Sequence, residues 1–279
     1  MINLIVDSGC DVSKDVINHE NCTLSYIPLN LQLEDKVFLD DETLDIEEYL
    51  TQMEQCPVGA KTSAPSPELF YERFKQSGNV FVVTLSSKLS ATYQSAITAK
   101  DMYFEEYGKK FIHVFDSLTA SVGEGVIAMK ISELLKMGNH SMEEIVEQVN
   151  QYMKGMRTYF ILDKYDNLVK TGRINPYVAK VASFLNVKPI CGDQDGEIKM
   201  EDKARGYSKA VTKLVEMIKN TVHDHEDRVV AISHCKCYER AVALKDEVLK
   251  HLRVKDVVIH ECTGVIATYA NRGGVVLAL

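Results

Sequence analysis

Four times in the first half of the chain, a short apolar run ends in a turn rich in hydroxyl side chains. The four turns cover residues 6–9, 61–66, 84–92 and 115–121. Helical patterns lie between them, and this alternation of strand and helix predicts an α/β fold with a mostly parallel sheet. Because the loops after parallel strands meet at one edge of the sheet, where ligands bind, we expect the hydroxyls to converge on one site.

These hydroxyls suit an anionic or strongly polar head group, because helix N termini carry unsatisfied N–H donors and a partial positive charge. For any single turn the alternative is helix capping, which Ser and Thr provide in all classes of protein. Asp7 and Asp116 each end an apolar run. Either they form a carboxylate pair for acid–base chemistry, or each fixes its own turn through backbone N–H groups.

Composition and charge narrow the class of partner. The 279-residue chain has a net charge of −8, which argues against nucleic acid or an anionic membrane surface as the main partner. The sequence has no signal-peptide pattern and no apolar run of membrane-spanning length, so we expect a cytoplasmic protein without stable membrane insertion. Its seven cysteines lack disulfide or metal spacing, and no metal site is predicted.

Local signals divide the chain into two α/β domains, residues 1–156 and 157–279. Ser141 and Glu144 form a capping box that opens a helix just before this boundary. In the first domain, strands are predicted at residues 2–6, 24–33, 79–85 and 111–116, and helices at 66–74, 90–107 and 125–137. In the second, strands are predicted at residues 159–162, 189–191, 228–233, 257–261 and 274–279, and helices at 207–221 and 238–252.

Two catalytic alternatives stay open. The chain lacks the G-x-S-x-G pentapeptide of α/β hydrolases, but a serine-dependent acyl hydrolase or transferase could use Ser90 or Ser117 as its nucleophile. Gly123 and Gly125 imitate a dinucleotide-binding fingerprint, which makes a dinucleotide-binding oxidoreductase the second alternative. Close packing of a helix explains the same two glycines.

The hydroxyl-rich turns belong to a series of segments that runs along nearly the whole chain. The segments are Asp7-Ser8 with Asp11, Pro28-Leu29, Thr62-Ser63-Ala64-Pro65-Ser66, Ser86-Ser87 with Ser90-Ala91-Thr92-Tyr93-Gln94-Ser95-Ala96, Asp116-Ser117 with Ser121, Gly123 and Gly125, Gly172-Arg173-Ile174, Lys188-Pro189-Ile190, and Arg205-Gly206. In composition and order they resemble the signature segments of the DegV family of bacterial fatty-acid-binding proteins.

The resemblance implies a two-domain protein that encloses one long-chain, palmitate-like fatty acid in an apolar tunnel between its domains, with no other cofactor. It implies a binding protein rather than an enzyme, because family members of this kind hand the acid to a separate cytoplasmic fatty-acid kinase. That kinase phosphorylates the carboxylate in place. Arg173 and Arg205 look like the arginines that are implicated in engaging it.

The resemblance also implies a carboxylate site. In the family, a hydroxyl of the Thr-Ser-x-Pro-Ser turn and a serine at the start of the following helix hold the carboxylate; these positions are Thr62 and Ser90 here. Ser63, Thr92 and Tyr269 complete the predicted ligand set. The turns that support it are expected at Asp7, Ser8, Asp116 and Ser117.

The chain departs from the family pattern at three positions. Ala91 replaces the usual Gly after the helix-starting serine, and Tyr269 and Arg272 stand where a His and a Pro are common. A phenol donates a hydrogen bond but cannot become cationic, and Arg272 adds a charge nearby. These differences bear on the ligand or the partner at that end of the site.

Physical reasoning is consistent with this use of the site. A C16 chain removed from water gains about 0.8 kcal/mol per methylene, or about 12 kcal/mol before ordering and association costs are subtracted. The tail therefore supplies the affinity, and the hydroxyls fix the orientation. Because a buried Arg or Lys would bind and shield the carboxylate, we expect the tunnel to be closed by uncharged hydroxyl groups.

Overall fold

The structure, a computed structural model, describes residues 2–279. In this part of the chain thirteen strands form three sheets, and helices pack around them, as expected of an α/β fold. No helix in the described residues is long and apolar enough to cross a membrane.

The strands are β1 Ile2–Asp7, β2 Cys22–Ile27, β3 Asn30–Leu33, β4 Lys36–Leu39, β5 Lys61–Ser63, β6 Val80–Thr84, β7 Ile112–Asp116, β8 Thr158–Ile161, β9 Val187–Gln194, β10 Glu197–Arg205, β11 Val229–His234, β12 Asp256–Glu261 and β13 Val275–Ala278. The helices are α1 Lys14–Ile17, α2 Ile46–Gln55, α3 Pro67–Lys75, α4 Thr92–Tyr107, α5 Val122–Met137, α6 Met142–Gly155, α7 Asp166–Lys170, α8 Pro176–Ala182, α9 Tyr207–Thr221, α10 Tyr238–His251 and α11 Gly264–Ala270.

The first sheet is parallel throughout, as the alternating pattern predicts. Its strand order is β2-β1-β6-β7, and each neighbouring pair is parallel. Successive side chains of a strand point to opposite faces. Thus Leu4 and Val6 pack in the core that contains α5, whereas Ile5 packs in the core formed with α3 and α4.

The prediction of one strand over residues 24–33 is wrong. The chain leaves the first sheet after Ile27, because Pro28 has no N–H to continue the ladder. It then enters a separate small sheet of order β4-β3-β5, which is antiparallel. The backbone N–H of Asp40, just after β4, donates to the carbonyl of Leu29, just before β3, at 2.9 Å. This bond holds the end of β4 against the start of β3.

The second large sheet has the order β10-β9-β8-β13-β11-β12 and is mixed. Strand β13 is antiparallel to both of its neighbours, β8 and β11, and is buried at every residue, as its uniformly apolar sequence predicts. Strand β10 is not predicted, although Asp195 and Gly196 between β9 and β10 are a strong hairpin signal. Both residues have the positive φ angles, 51° and 85°, that such a two-residue turn requires.

Helix α5 packs between the two large sheets. Its apolar residues share one core with Met156, Ala231, Val276 and Ala278 from the second half of the chain. A helix that is contacted on all sides is buried nearly all round, and α5 is buried at most of its positions. Although the two large sheets separate in sequence near residue 157, their cores are continuous through α5, and the domain division stays a prediction.

Candidate functional site

A cavity lies between the two large sheets, at the carboxyl edge of the parallel one. Its wall includes residues from β5 and from the loops that follow β2, β6 and β7. Three of the four hydroxyl-rich turns, at residues 61–66, 84–92 and 115–121, therefore contribute to it. About 100 Å³ of the cavity is open to the centre of a water molecule, within about 850 Å³ of empty space that includes open solvent.

Most of the wall is apolar, and it is built by both halves of the chain. The apolar lining residues are Leu29, Leu85, Leu89, Ala120, Phe160, Leu162, Leu168, Ile198, Val265, Ile266, Ala270 and Val276. The polar lining comes mainly from hydroxyl groups, with three charged side chains among them. Such a surface combines a large apolar area with a few polar groups that can fix the orientation of a ligand.

Thr62 and Tyr269 meet at this cavity although 207 residues separate them in the sequence. Thr62 lies on β5 and Tyr269 in the last turn of α11, and their hydroxyl oxygens are 2.7 Å apart. Both side chains are partly buried and line the cavity. Two hydroxyls that face one space can together donate to the oxygens of a carboxylate.

Ser90 supplies a third hydroxyl, because it lies just before α4 and lines the cavity. Its Oγ is 2.8 Å from the Oγ1 of Thr92, which is fully buried and does not line the cavity. Thr92 therefore orients Ser90 from behind. Ser63 is exposed and faces away from Thr62, since neighbouring residues of a strand point to opposite faces. Ser63 does not line the cavity, so the structure does not bring it together with the other predicted ligand residues.

Arg173 also lines the cavity, so the expectation that only uncharged hydroxyls close it is wrong. Its guanidinium lies 5.2 Å from the centre of the Tyr269 ring, and its Nε donates to the carbonyl of Leu89 at 3.1 Å. Asp193 and Glu197 complete the charged part of the wall. A cation held beside Tyr269 in this way attracts an anionic head group towards the hydroxyls.

The other two arginines that the sequence singles out lie outside the cavity. Arg205 is exposed at the end of β10. Arg272 bonds to α2, where its guanidinium forms ion pairs with Glu47 at 2.7 Å and with Glu54 at 3.1 Å. The two carboxylates of α2 therefore neutralise the charge of Arg272, and the ion pairs hold the segment after α11 against α2.

The four predicted supporting residues each hold the backbone of a turn. The carboxylate of Asp7 accepts from the N–H of Leu85, the hydroxyl of Ser8 accepts from the N–H of Leu29, and that of Ser117 accepts from the N–H of Thr119. The three residues that donate these N–H groups, Leu85, Leu29 and Thr119, all line the cavity. Asp116 accepts from the N–H of Ser87 at 2.9 Å. Asp7 and Asp116 thus both bond to the turn after β6, and each also accepts from an N–H of its own turn, that of Gly9 and that of Leu118. Both carboxylates are used by backbone N–H groups, and the alternative of a catalytic carboxylate pair is not supported.

Four carboxyl groups are buried around these turns. Burial raises the pKa of Asp7 to about 7, although two backbone N–H groups bond to it. Burial likewise raises the pKa of Asp11 to about 6 and that of Asp40 to about 6. Burial and the neighbouring charges of Asp7 and Asp11 raise the pKa of Glu124 well above its usual value. Within residues 2–279, no group of His, Cys, Asp or Glu side chains is placed to hold a metal ion.

The geometry does not favour either catalytic alternative. The hydroxyl of Ser90 bonds to Thr92, and that of Ser117 to the backbone of Thr119; neither bonds to a histidine in the described part of the chain. Gly123 and Gly125 lie buried in α5. A Cβ on Gly125 would come within 2.0 Å of Val12 Cγ2. The two glycines therefore permit close helix packing and leave no room for a pyrophosphate.

Sequence reasoning missed the hairpin formed by β9 and β10, which closes one side of the cavity. Asp193, Gly196, Glu197 and Ile198 of this hairpin line the wall. Its tip is held by the hydroxyl of Ser86, which donates to the carbonyl of Gly196 at 2.7 Å. The Asp-Gly turn is the signal that could have revealed it.

A family model described as "Uncharacterised protein, DegV family" matches residues 1–279. A DegV domain-containing protein of Streptococcus pyogenes serotype M1 is 33% identical over 277 residues, which are 98% of this chain and 97% of that protein.

Two solved structures have the same fold over nearly the whole chain. The crystal structure of a DegV family protein from Ruminococcus gnavus with vaccenic acid is 37% identical, with a TM-score of 0.93, covering 100% of this chain and 99% of that one. That of the Streptococcus pneumoniae Fatty Acid Kinase (Fak) B3 protein, loaded with linoleic acid, is 29% identical, with a TM-score of 0.92, covering 99% and 98%.

Proposed function

The chain belongs to the DegV family, and from this premise we propose that it binds one long-chain fatty acid and presents the carboxylate to a partner kinase. The acyl chain occupies the apolar cavity between the two large sheets. Thr62, Tyr269 and Ser90 donate hydrogen bonds to the carboxylate. In this proposal the protein contributes binding and presentation, and the partner supplies the catalysis.

The observation that supports this proposal most is the meeting of Thr62 and Tyr269 at 2.7 Å on the wall of an apolar cavity. Ser90 lines the same cavity. Each bonded pair of hydroxyls, Thr62 with Tyr269 and Ser90 with Thr92, uses one O–H in the bond and leaves the other free. Covering such an O–H with a neutral apolar ligand would cost about 1–3 kcal/mol. A ligand with an apolar tail and an acceptor head group satisfies both parts of the wall.

Two features support presentation of the carboxylate to a partner. The first is the similarity of this chain to the Fak B3 protein, which by its name belongs to a fatty acid kinase. Second, Arg173 lies beside Tyr269 while Arg205 is exposed. An arginine at the site can contact both the carboxylate and the phosphate of an approaching nucleotide, because its planar guanidinium has donors for both. An exposed arginine is available for a contact with the surface of the kinase.

Native mass spectrometry of the purified protein, followed by extraction of its lipid, tests the binding function. We expect a co-purifying mass in the C14 to C18 fatty-acid range. The double variant Thr62→Ala, Ser90→Ala loses two hydrogen bonds to a charged group and should weaken palmitate binding about a hundredfold or more. The matched control is Ser63→Ala, Ser87→Ala, which removes two exposed hydroxyls from the same two turns.

Other results would identify other functions. A nucleotide mass would favour the oxidoreductase, and an empty protein that turns over acyl esters would favour the hydrolase. If the purified protein carries no lipid and does not bind added palmitate, the proposed function is wrong. Equal palmitate affinity in the double variant and its control would remove Thr62 and Ser90 from the site.

A further inference from the structure

Helix α11 brings Tyr269 to the carboxylate site, and its first residues are held by the small sheet of the other half of the chain. The helix belongs in sequence to the second half, yet it packs on β3 and α2 of the first half. Four of its residues, Val265, Ile266, Tyr269 and Ala270, line the cavity. The attachments of α11 therefore determine the shape of the site.

The strongest attachment is at the start of the helix. The carboxylate of Asp40 accepts from the N–H of Gly264 at Oδ1, at 2.8 Å, and from the N–H of Val265 at Oδ2, at 2.9 Å. Asp40 is only 5% exposed. The first N–H groups of a helix have no partner within the helix, and here both oxygens of one buried carboxylate serve them.

Gly264 makes this close approach possible. A Cβ at this position would lie 2.4 Å from Leu44 Cδ2 and 2.7 Å from Leu31 Cδ1. The backbone of α11 therefore rests directly on the side chains of the small sheet and of the segment after it. This close approach brings the first N–H groups of the helix within reach of the Asp40 carboxylate.

The small sheet links Asp40 to Thr62. Leu39, the residue before Asp40, pairs with Asn30, and Thr62 pairs with the next residue, Leu31. Asp40 and Thr62 therefore flank neighbouring positions of β3 and keep a fixed separation. Tyr269 follows Gly264 by five residues, a rise of about 7.5 Å along the helix, so α11 connects Asp40 at its start with Thr62 near its end.

We propose that Asp40 is a positioning residue for the carboxylate site: by holding the first two N–H groups of α11 on the small sheet, it sets where the Tyr269 hydroxyl stands relative to Thr62. This inference rests on the proposed function, because it concerns the same head-group site. Asp40 does not line the cavity and acts only through the helix.

Other contacts keep α11 attached when Asp40 is replaced, so its removal is expected to shift the helix rather than unfold the protein. Asp11 accepts from the N–H of Thr263 at 2.7 Å. The hydroxyls of Tyr49 and Thr268 are 2.7 Å apart, and the amide of Asn167 donates to the carbonyl of Thr268. A small shift of α11 is enough to separate Tyr269 from the carboxylate, because hydrogen bonds weaken steeply with distance and angle.

The test compares two ligands with the same chain and different head groups, palmitate and 1-hexadecanol, by competition against a fluorescent fatty acid. In Asp40→Ala the preference for palmitate over hexadecanol should fall about tenfold, the size expected for one hydrogen bond to a charged group. The affinity for hexadecanol should change less than about twofold. In a Tyr269→Phe background, Asp40→Ala should cause no further change in the preference.

Two further variants complete the design. Asp41→Ala removes the neighbouring carboxylate, which bonds to Thr43 and not to α11, and should leave the preference unchanged. Asp40→Asn keeps the side-chain volume but has one acceptor for two N–H groups, so its preference should lie between those of the wild type and Asp40→Ala. If Asp40→Ala does not fold, Asp40→Asn carries the same test.

The outcomes separate the two proposals. If the wild type binds neither ligand, the proposed function fails. If the wild type prefers palmitate and the Asp40 variants keep that preference, only the positioning role fails. Equal loss of affinity for both ligands would also overturn the positioning role, because it would mean that Asp40 maintains the cavity as a whole.

Discussion

At the tip of the hairpin formed by β9 and β10, the structure allows a detailed prediction of the effect of the variant Gly196→Ala. Gly196 has a φ of +85° at the hairpin tip, and its carbonyl accepts the hydrogen bond from Ser86. A Cβ at this position would lie 2.7 Å from Ser86 Oγ and 3.0 Å from Lys88 Cγ. The variant must therefore strain its backbone and displace the hairpin from the loop that follows β6.

The expected size follows from these two effects. The left-handed backbone costs a non-glycine residue about 1 kcal/mol. Loss of the buried hydrogen bond between Ser86 and the carbonyl of Gly196 adds about 1–2 kcal/mol. Together, Gly196→Ala should lower the free energy of unfolding by about 2–3 kcal/mol.

Gly138→Ala is a matched control, because Gly138 also has a positive φ, +71°, but no atom lies within 4 Å of its added Cβ. It should lose only about 1 kcal/mol, from the backbone effect. Urea unfolding measures both variants, and stopped-flow dissociation of a fluorescent fatty acid measures the cavity. Because Gly196, Glu197 and Ile198 line the cavity, the ligand should leave Gly196→Ala faster and Gly138→Ala at the wild-type rate.

Two results would refute this reasoning. The first is a loss of stability in Gly196→Ala that is no larger than in Gly138→Ala, which would mean that the contact with Ser86 contributes nothing. The second is an unchanged dissociation rate, which would mean that the hairpin does not close the cavity.

Two more predictions concern helix α5 and the kinase partner. Gly125→Ala should destabilise the protein by about 1–3 kcal/mol through overpacking, measured by urea unfolding, because its Cβ would come within 2.0 Å of Val12 Cγ2; an unchanged stability would contradict close helix packing. Arg205→Ala should slow phosphorylation of the bound acid by a partner kinase and leave palmitate affinity unchanged, whereas Arg173→Ala should lower both, because only Arg173 lines the cavity. Equal effects of the two arginines on palmitate affinity would contradict their different placement.

Local chemistry explains which helices and strands could be predicted. Ser141 and Glu144 form the expected capping box with both hydrogen bonds present. Pro67 begins α3 as predicted, although the Ser66 side chain makes no capping bond. These signals depend on neighbours within one turn of the chain. The small sheet was missed because its three short strands pair with segments up to 33 positions away, and no local pattern records such pairing.

The residues of the carboxylate site likewise divide into those that the sequence predicts and those that only the structure reveals. Thr62, Ser90 and Tyr269 follow from the family resemblance of their segments, and all three line the cavity. Ser63 shares the same turn as Thr62 but faces the other way, since strand pairing decides which of two adjacent side chains points inward. The anchor at Asp40 carries no motif, because its partners Gly264 and Val265 are more than 220 positions away.

By itself, the sequence determined the parallel first sheet, the hydroxyl-rich turns at its edge and the family, because each depends on residue types in a fixed local order. Only the tertiary structure decided that Arg173 enters the cavity, that Arg272 is neutralised by α2, and that α11 is held on the small sheet. These depend on how the two halves pack across α5. Packing brings together side chains that are distant in the chain, and their meeting is set by the shape and burial of whole surfaces rather than by any short pattern of residues.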